Sequence, residues 1–146
     1  ALANAVKLLL ETGVRPTAEN AETLVEETLR LDPPLHMFTR YVYEDMDLFG
    51  HAFKRGDEVG LLLASANRDP VAWEDPDRFD PLRPIRQNAS FGAGVHFCIG
   101  TPLARLELMT ALPILFDRCP DLALTAAPEY ADVYHFHGVK RLMVQR

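Results

Sequence analysis

The chain has 146 residues, room for one ordinary domain, and its 48% apolar and 25% charged content is that of a globular chain and not of a disordered one. Lys and Arg number 15 against 21 Asp and Glu, and the net charge of −6 argues against nucleic acid or an anionic membrane surface as the main partner. No apolar run is long enough to span a bilayer, no signal peptide is visible, and two cysteines, Cys98 and Cys119, make no disulfide framework, so a reducing, cytoplasmic setting is expected.

Residues 1–12 place Leu2, Val6, Leu9 and Leu10 at helical spacing, with Gly13 where a helix-ending residue belongs. The opening lacks a cap and reads as a helix cut from a longer chain. A second helix, capped by Thr17 or Asn20, is expected to run to about Leu31 and stop at Pro33-Pro34, with Ala21, Leu24, Val25, Thr28 and Leu29 as its buried stripe. Short β-like runs follow at Phe38–Tyr43, Met46–Phe49 and Val59–Leu63, with turns at Glu44-Asp45 and Lys54–Asp57; they predict one small twisted sheet. A short helix is expected over Ala64–Asp69. Across residues 70–90, Pro70, Pro76, Pro81 and Pro84 deny regular hydrogen bonding, and Trp73, Phe79, Leu82 and Ile85 are expected to anchor a long ordered loop.

The most apolar helix is predicted over Thr101–Arg118, buried around most of its circumference, with Pro102 in its first turn and a kink at Pro113. The tail, Leu122–Val144, reads as two or three short strands turning at Gly138. The fold class is mostly α with a small β region, α+β.

The segment FGAGVHFCIG, Phe91–Gly100, carries the chemistry. Gly92, Gly94 and Gly100 give backbone freedom around Cys98, which sits where the loop meets the next helix. Amides of the loop and helix start can point at its sulfur and stabilise a thiolate, a soft axial ligand suited to haem iron. Phe91 can shield the sulfur, and His96 can meet an anion at the rim. A lone cysteine can equally be a small buried hydrophobe. A dinucleotide loop would need glycine where Phe97 stands, and no triphosphate loop occurs. A zinc site from His96, Cys98, His135 and His137 is a further alternative.

Glu27 and Arg30 lie one turn apart on the second helix, where such a pair is ordinarily a solvated bridge, and Glu26 with Arg30 would serve equally well. If Arg78 joined them, a buried carboxylate between two guanidinium groups would pin the long loop to the helix. Arg40, on a predicted strand, could clamp two porphyrin carboxylates together with His96.

The Phe91–Gly100 segment with the TPLARLE after it closely resembles the haem-binding signature of the cytochromes P-450, F-x-x-G-x-[HR]-x-C-x-G. Glu27–Arg30 resembles their E-x-x-R motif, and ANRDPVAWEDPDRFDP, Ala66–Pro81, is similar to a loop of the soluble bacterial members. The resemblance implies a haem-thiolate monooxygenase carrying haem b, with Cys98 as the iron ligand and catalytic residue. Phe91, Gly92, Gly94 and Gly100 would shape its loop, Arg40 and His96 would bind propionates, and Glu27, Arg30 and Arg78 would form a structural triad. His36, Met37, Phe38 and the turn Tyr134–His137 would touch a small organic substrate, and Arg105 would meet a ferredoxin-like electron donor.

Asn88 stands where bacterial members commonly carry a propionate-binding His. The resemblance covers all 146 residues but only the C-terminal part of the family's fold, without the central helix over the distal haem face. By itself this portion is therefore expected not to hydroxylate efficiently. A non-catalytic haem-binding or partner-docking role is the alternative, with a complementary chain or self-association covering its apolar surface.

Overall fold

The structure, a computed structural model, describes residues 1–146. Helical apolar spacing gives three helices one buried stripe each: α1 (Leu2–Thr12), α2 (Ala21–Leu31) and α4 (Thr101–Arg118). Their stripes meet in one core built from Ala5, Val6, Leu9, Leu24, Val25, Leu29, Leu108, Leu112, Phe116 and, from the tail, Leu122. α1 ends as expected at Gly13, which is left-handed at φ 70° and ψ 10°. A side chain there meets no neighbour, so Gly13→Ala tests backbone strain alone and is expected to cost about 1 kcal/mol, read as a lower urea midpoint at unchanged m-value.

Ahead of α2 the Thr17 amide donates to Asn20 Oδ1 (2.7 Å), and the Asn20 amide donates to Thr17 Oγ1 (3.4 Å). Asn20 holds the N-cap position, yet its side chain closes this turn and caps no helix amide.

The expected single sheet is instead a set of separate antiparallel pairs. β1 (Met37–Tyr41) pairs with β4 (Glu58–Leu62), Thr39 facing Gly60. Between them β2 (Met46–Leu48) pairs with β3 (His51–Phe53), a strand the sequence pattern did not indicate. Both turn residues of that hairpin, Phe49 and Gly50, have positive φ, as a two-residue turn matched to strand twist requires. The short helix after β4, α3, is Leu63–Ala66. The tail forms four short strands: β5 (Ala123–Leu124) with β8 (Val144–Gln145), and β6 (Glu129–Tyr130) with β7 (Val139–Arg141). The class is α+β, and no helix is long and apolar enough to cross a membrane.

Two burial expectations fail. α4 has the expected bounds and runs through Pro113 unbroken, but only Thr101, Leu108, Leu112 and Phe116 are buried, while Leu103, Leu106 and Ile114 are exposed. α1 and α2 cover one side of α4 and nothing here covers the other. In the long loop Trp73 is buried and Phe79 packs on the core, whereas Leu82 and Ile85 face out.

A buried polar knot joins the two ends of the chain. Asn4 Nδ2 donates to His137 O (2.8 Å), and the Val139 amide donates to Asn4 Oδ1 (3.4 Å). Lys7 Nζ lies 3.0 Å from Asp32 Oδ2, 3.2 Å from the Tyr130 hydroxyl and 3.4 Å from Glu11 Oε2. Burial opposes the charge on Lys7, but its bonds to Asp32 and Tyr130 and the two carboxylates outweigh that and raise its pKa.

Candidate functional site: a cysteine loop pinned to two helices

Gly92 (φ 70°) and Gly94 (φ 65°) turn the loop back on itself through backbone conformations that side chains resist, and Gly94–His96 forms one turn of 3₁₀ helix. The Cys98 amide then donates to Phe91 O (3.0 Å), while Cys98 O accepts from the Thr101 amide (3.3 Å) and Thr101 Oγ1 (2.7 Å). Cys98 is thus held from the loop on one side and from the head of α4 on the other, with its side chain exposed. The amides of Gly92, Phe97 and Cys98 donate to the backbone oxygens of Ala89, Gly94 and Phe91, and, against expectation, no hydrogen bond is made to the Cys98 sulfur. At Gly100 a Cβ would lie 3.7 Å from Cys98 Sγ, so the helix start passes close to the thiol.

Beside the loop lies a mostly apolar cleft of about 550 Å³, lined by Phe38, Leu61, Leu62, Ala89, Gly92 and, as its one charged group, Arg40. The Arg40 guanidinium donates to Thr39 O (3.0 Å) and sits 5.6 Å from the centre of the Phe38 ring. His96 is exposed on the 3₁₀ turn and does not line that cleft. Asn88 does line it, and its Oδ1 accepts from the Ser90 amide (3.1 Å), a local turn in place of an outward-reaching donor.

Behind the loop, Glu27 and Arg30 are both buried. Arg30 binds Glu27 through two parallel bonds, Nε to Oε2 at 2.7 Å and Nη2 to Oε1 at 2.8 Å. Its remaining donors reach Asn67 O (2.8 Å), Pro76 O (2.8 Å) and Arg78 O (3.2 Å). Arg78 therefore joins the knot through its carbonyl only. Its side chain is 66% exposed, near Asp75 (3.9 Å) and Asp80 (3.6 Å), which corrects the expected triad.

The third guanidinium is that of Arg83, whose Nε lies 3.3 Å from both Glu27 oxygens, and the Asp80 amide also donates to Oε1 (2.9 Å). Asp75 is left-handed (φ 43°), the Arg78 carbonyl turns in toward Arg30 while its side chain faces solvent, and the segment meets Glu27 through the Asp80 amide and the Arg83 side chain instead.

Sequence reasoning also missed Asn67. It is 1% exposed; its Oδ1 accepts from the Ala89 amide (2.6 Å) and its Nδ2 donates to Ser90 Oγ (2.8 Å), which passes on to Leu29 O (2.6 Å). That relay ties the start of the cysteine loop to α2, and only three-dimensional placement reveals it. Glu26 does not pair with Arg30 but binds Arg105 bidentately, Arg105 Nη2 to Oε2 at 3.0 Å and Nε to Oε1. The residue expected to face an electron donor is thus turned back to α2, and its guanidinium lies 5.0 Å from the centre of the Phe91 ring. The bonds from Glu26 outweigh partial burial and raise the Arg105 pKa.

The alternative zinc set of His96, Cys98, His135 and His137 does not assemble. The donors that come together are Asp32, His36 and His137, within 4.8 Å of one another. Stacked imidazoles (4.6 Å, 21°) cannot both aim lone pairs at one ion, and the Lys7 ammonium already holds Asp32. Burial and the neighbouring His137 lower the His36 pKa. Of the expected substrate contacts, His36 and His137 therefore meet each other, Phe38 lines the cleft, and Tyr134 is exposed.

A family model described as Cytochrome P450 matches residues 20–120. The cytochrome P450 monooxygenase PikC of Streptomyces venezuelae is 48% identical over 71% of this chain and 25% of its own length. The biotin biosynthesis cytochrome P450 of Bacillus subtilis is 37% identical over 98% of this chain and 38% of its own. Among solved structures, P450BioI in complex with hexadec-9Z-enoic acid ligated acyl carrier protein aligns with a TM-score of 0.91 at 37% identity, over 98% of this chain and 39% of that one. The chain spans well under half the length of each of these relatives. A family model over residues 20–120 and a solved structure superposing on 98% of the chain, on a fold that carries the cysteine loop at the head of α4, make the chain a member of the cytochrome P450 family.

Proposed function

We propose that this chain supplies the thiolate side of a haem monooxygenase, binding haem b through Cys98. The observation that carries the reading is Cys98 itself: a soft donor, exposed, with its backbone fixed on both sides and Phe97 and Ile99 exposed beside it. A flat apolar ring with anionic substituents fits this surface, since the cleft next to the loop is apolar and carries a single guanidinium, Arg40. When bound, haem supplies activation of O₂ for insertion of one oxygen atom into a small organic substrate, with electrons from a redox partner such as a ferredoxin.

The chain's own residues bind and orient. Cys98 donates sulfur electrons, and Arg40, with His96 from the 3₁₀ turn, meets the propionates. Phe91, Gly92, Gly94 and Gly100 give the loop its course past the sulfur. Glu27, Arg30 and Arg83 keep the long loop in place behind it. Donor docking belongs to the face around Arg86, Gln87 and Phe97, beside the engaged Arg105.

The test is the absorption spectrum of the haem-loaded chain, reduced and given carbon monoxide. A strongly red-shifted Soret band is expected in the wild type and in Cys119→Ala, and its loss in Cys98→Ala. A band that survives Cys98→Ala overturns the assignment.

A second reading rests on the bare side of α4, where Leu103 and Leu106 are about 60% exposed. There the chain is a non-catalytic haem-binding fragment docked to a complementary chain or to itself. Sedimentation as a monodisperse monomer that binds no apolar dye would remove that reading.

A further inference from the structure

We infer that Glu26 and Arg105 act as a positioning pair for the Cys98 loop, working through Phe91; this rests on the reading of Cys98 as the haem ligand. Three observations meet here. Arg105 stands on α4 two turns beyond Cys98, whose carbonyl caps the start of that helix. Its guanidinium is clamped by both oxygens of Glu26, a side chain 11% exposed on α2. The same guanidinium lies against the Phe91 ring, and the Phe91 carbonyl accepts the Cys98 amide.

The loop therefore has two ends and one brace. Phe91 at its start and α4 at its finish are both held by Arg105, and Arg105 is held by α2. The neighbouring Glu27 anchors the other irregular segment through Arg30 and Arg83, so two consecutive carboxylates on one helix hold two different loops. A fork is needed for this task. One face of a planar guanidinium can cover an aromatic ring while its edge takes a carboxylate, whereas an ammonium offers neither a face nor a parallel pair of donors.

The test is amide hydrogen exchange in the chain without haem, with the Cys98 amide as reporter and Leu9 and Leu24 as core controls. In Glu26→Gln and Arg105→Gln, exchange at Cys98 is expected to quicken about tenfold while the controls keep their rates. Arg105→Lys, which keeps the charge and loses the fork, is expected to resemble Arg105→Gln more than the wild type. An unchanged Cys98 rate overturns the inference. So does an equal acceleration at Leu9 and Leu24, because the pair would then be a general tie between helices.

With haem added, the variants are expected to retain the cofactor but give a smaller red-shifted fraction of the carbonyl spectrum. If the wild type itself shows no such band, the haem-thiolate reading fails. The exchange rates still decide whether the pair holds the loop.

Discussion

Arg30→Ala is expected to remove about 3–5 kcal/mol of stability, a large share of the roughly 5–15 kcal/mol that holds a domain folded. The side chain is 1% exposed and gives donors to the Glu27 carboxylate and to three carbonyls, of Asn67, Pro76 and Arg78. Alanine leaves Glu27 buried with the more distant Arg83 as its remaining guanidinium partner, and strands three carbonyls of a segment that has no ladder of its own. Arg30→Lys should recover little, since one ammonium cannot bind the carboxylate edge-on and also reach three oxygens.

Arg78→Ala is the matched control. Its carbonyl, which does the holding, survives the substitution, and its exposed side chain should be worth under about 0.5 kcal/mol. Thermal unfolding of the three variants side by side checks the order. A large loss from Arg78→Ala with a small one from Arg30→Ala would show that the wrong arginine has been placed in the knot.

The second large effect is expected at Lys7. Lys7→Met keeps the apolar stem and removes the ammonium, leaving Asp32 buried without its nearest cation, at a cost of about 3 kcal/mol. The pH dependence follows from the direction of the shift. Lys7 is held protonated in the fold above its ordinary value of 10.5, so its contribution is complete below that pH and is lost as pH rises through the higher folded value. Wild-type stability should therefore fall on the alkaline side of about 10.5, and Lys7→Met should lack that part of the fall. Urea unfolding between pH 7 and pH 11 measures it. Parallel alkaline profiles for the two proteins would contradict the assignment.

What could be read from sequence was set by local chemistry. The bounds of α2 and α4 follow from a proline pair after one and a glycine loop before the other, and the cysteine loop is legible because Gly92 and Gly94 sit where the backbone turns left-handed. The choice between Arg78 and Arg83 was not legible. Both lie in one proline-rich segment, and the outcome depends on which way a single carbonyl turns after Asp75.

β2 was legible, but its partner β3 escaped notice because the turn between them begins with Phe49, a residue that seldom adopts positive φ and gives no turn signal. The burial of α4 was overestimated for a different reason. An apolar composition all round a helix says that every side can be covered, and the number of helices available to cover it decides how many sides are.

The bonds of Asn4 bear on how such a chain comes into being. They join residues 133 and 135 positions apart, and those of Lys7 to Tyr130 span 123. During translation, α1 leaves the ribosome on the order of ten seconds before its partners in the tail are made. Over that interval Asn4 and Lys7 can find only water, a nearby carboxylate or a chaperone. Closure waits for the strands around His137 and Val139, so nascent chains stalled short of His137 should be far more open to proteases than those extended past it.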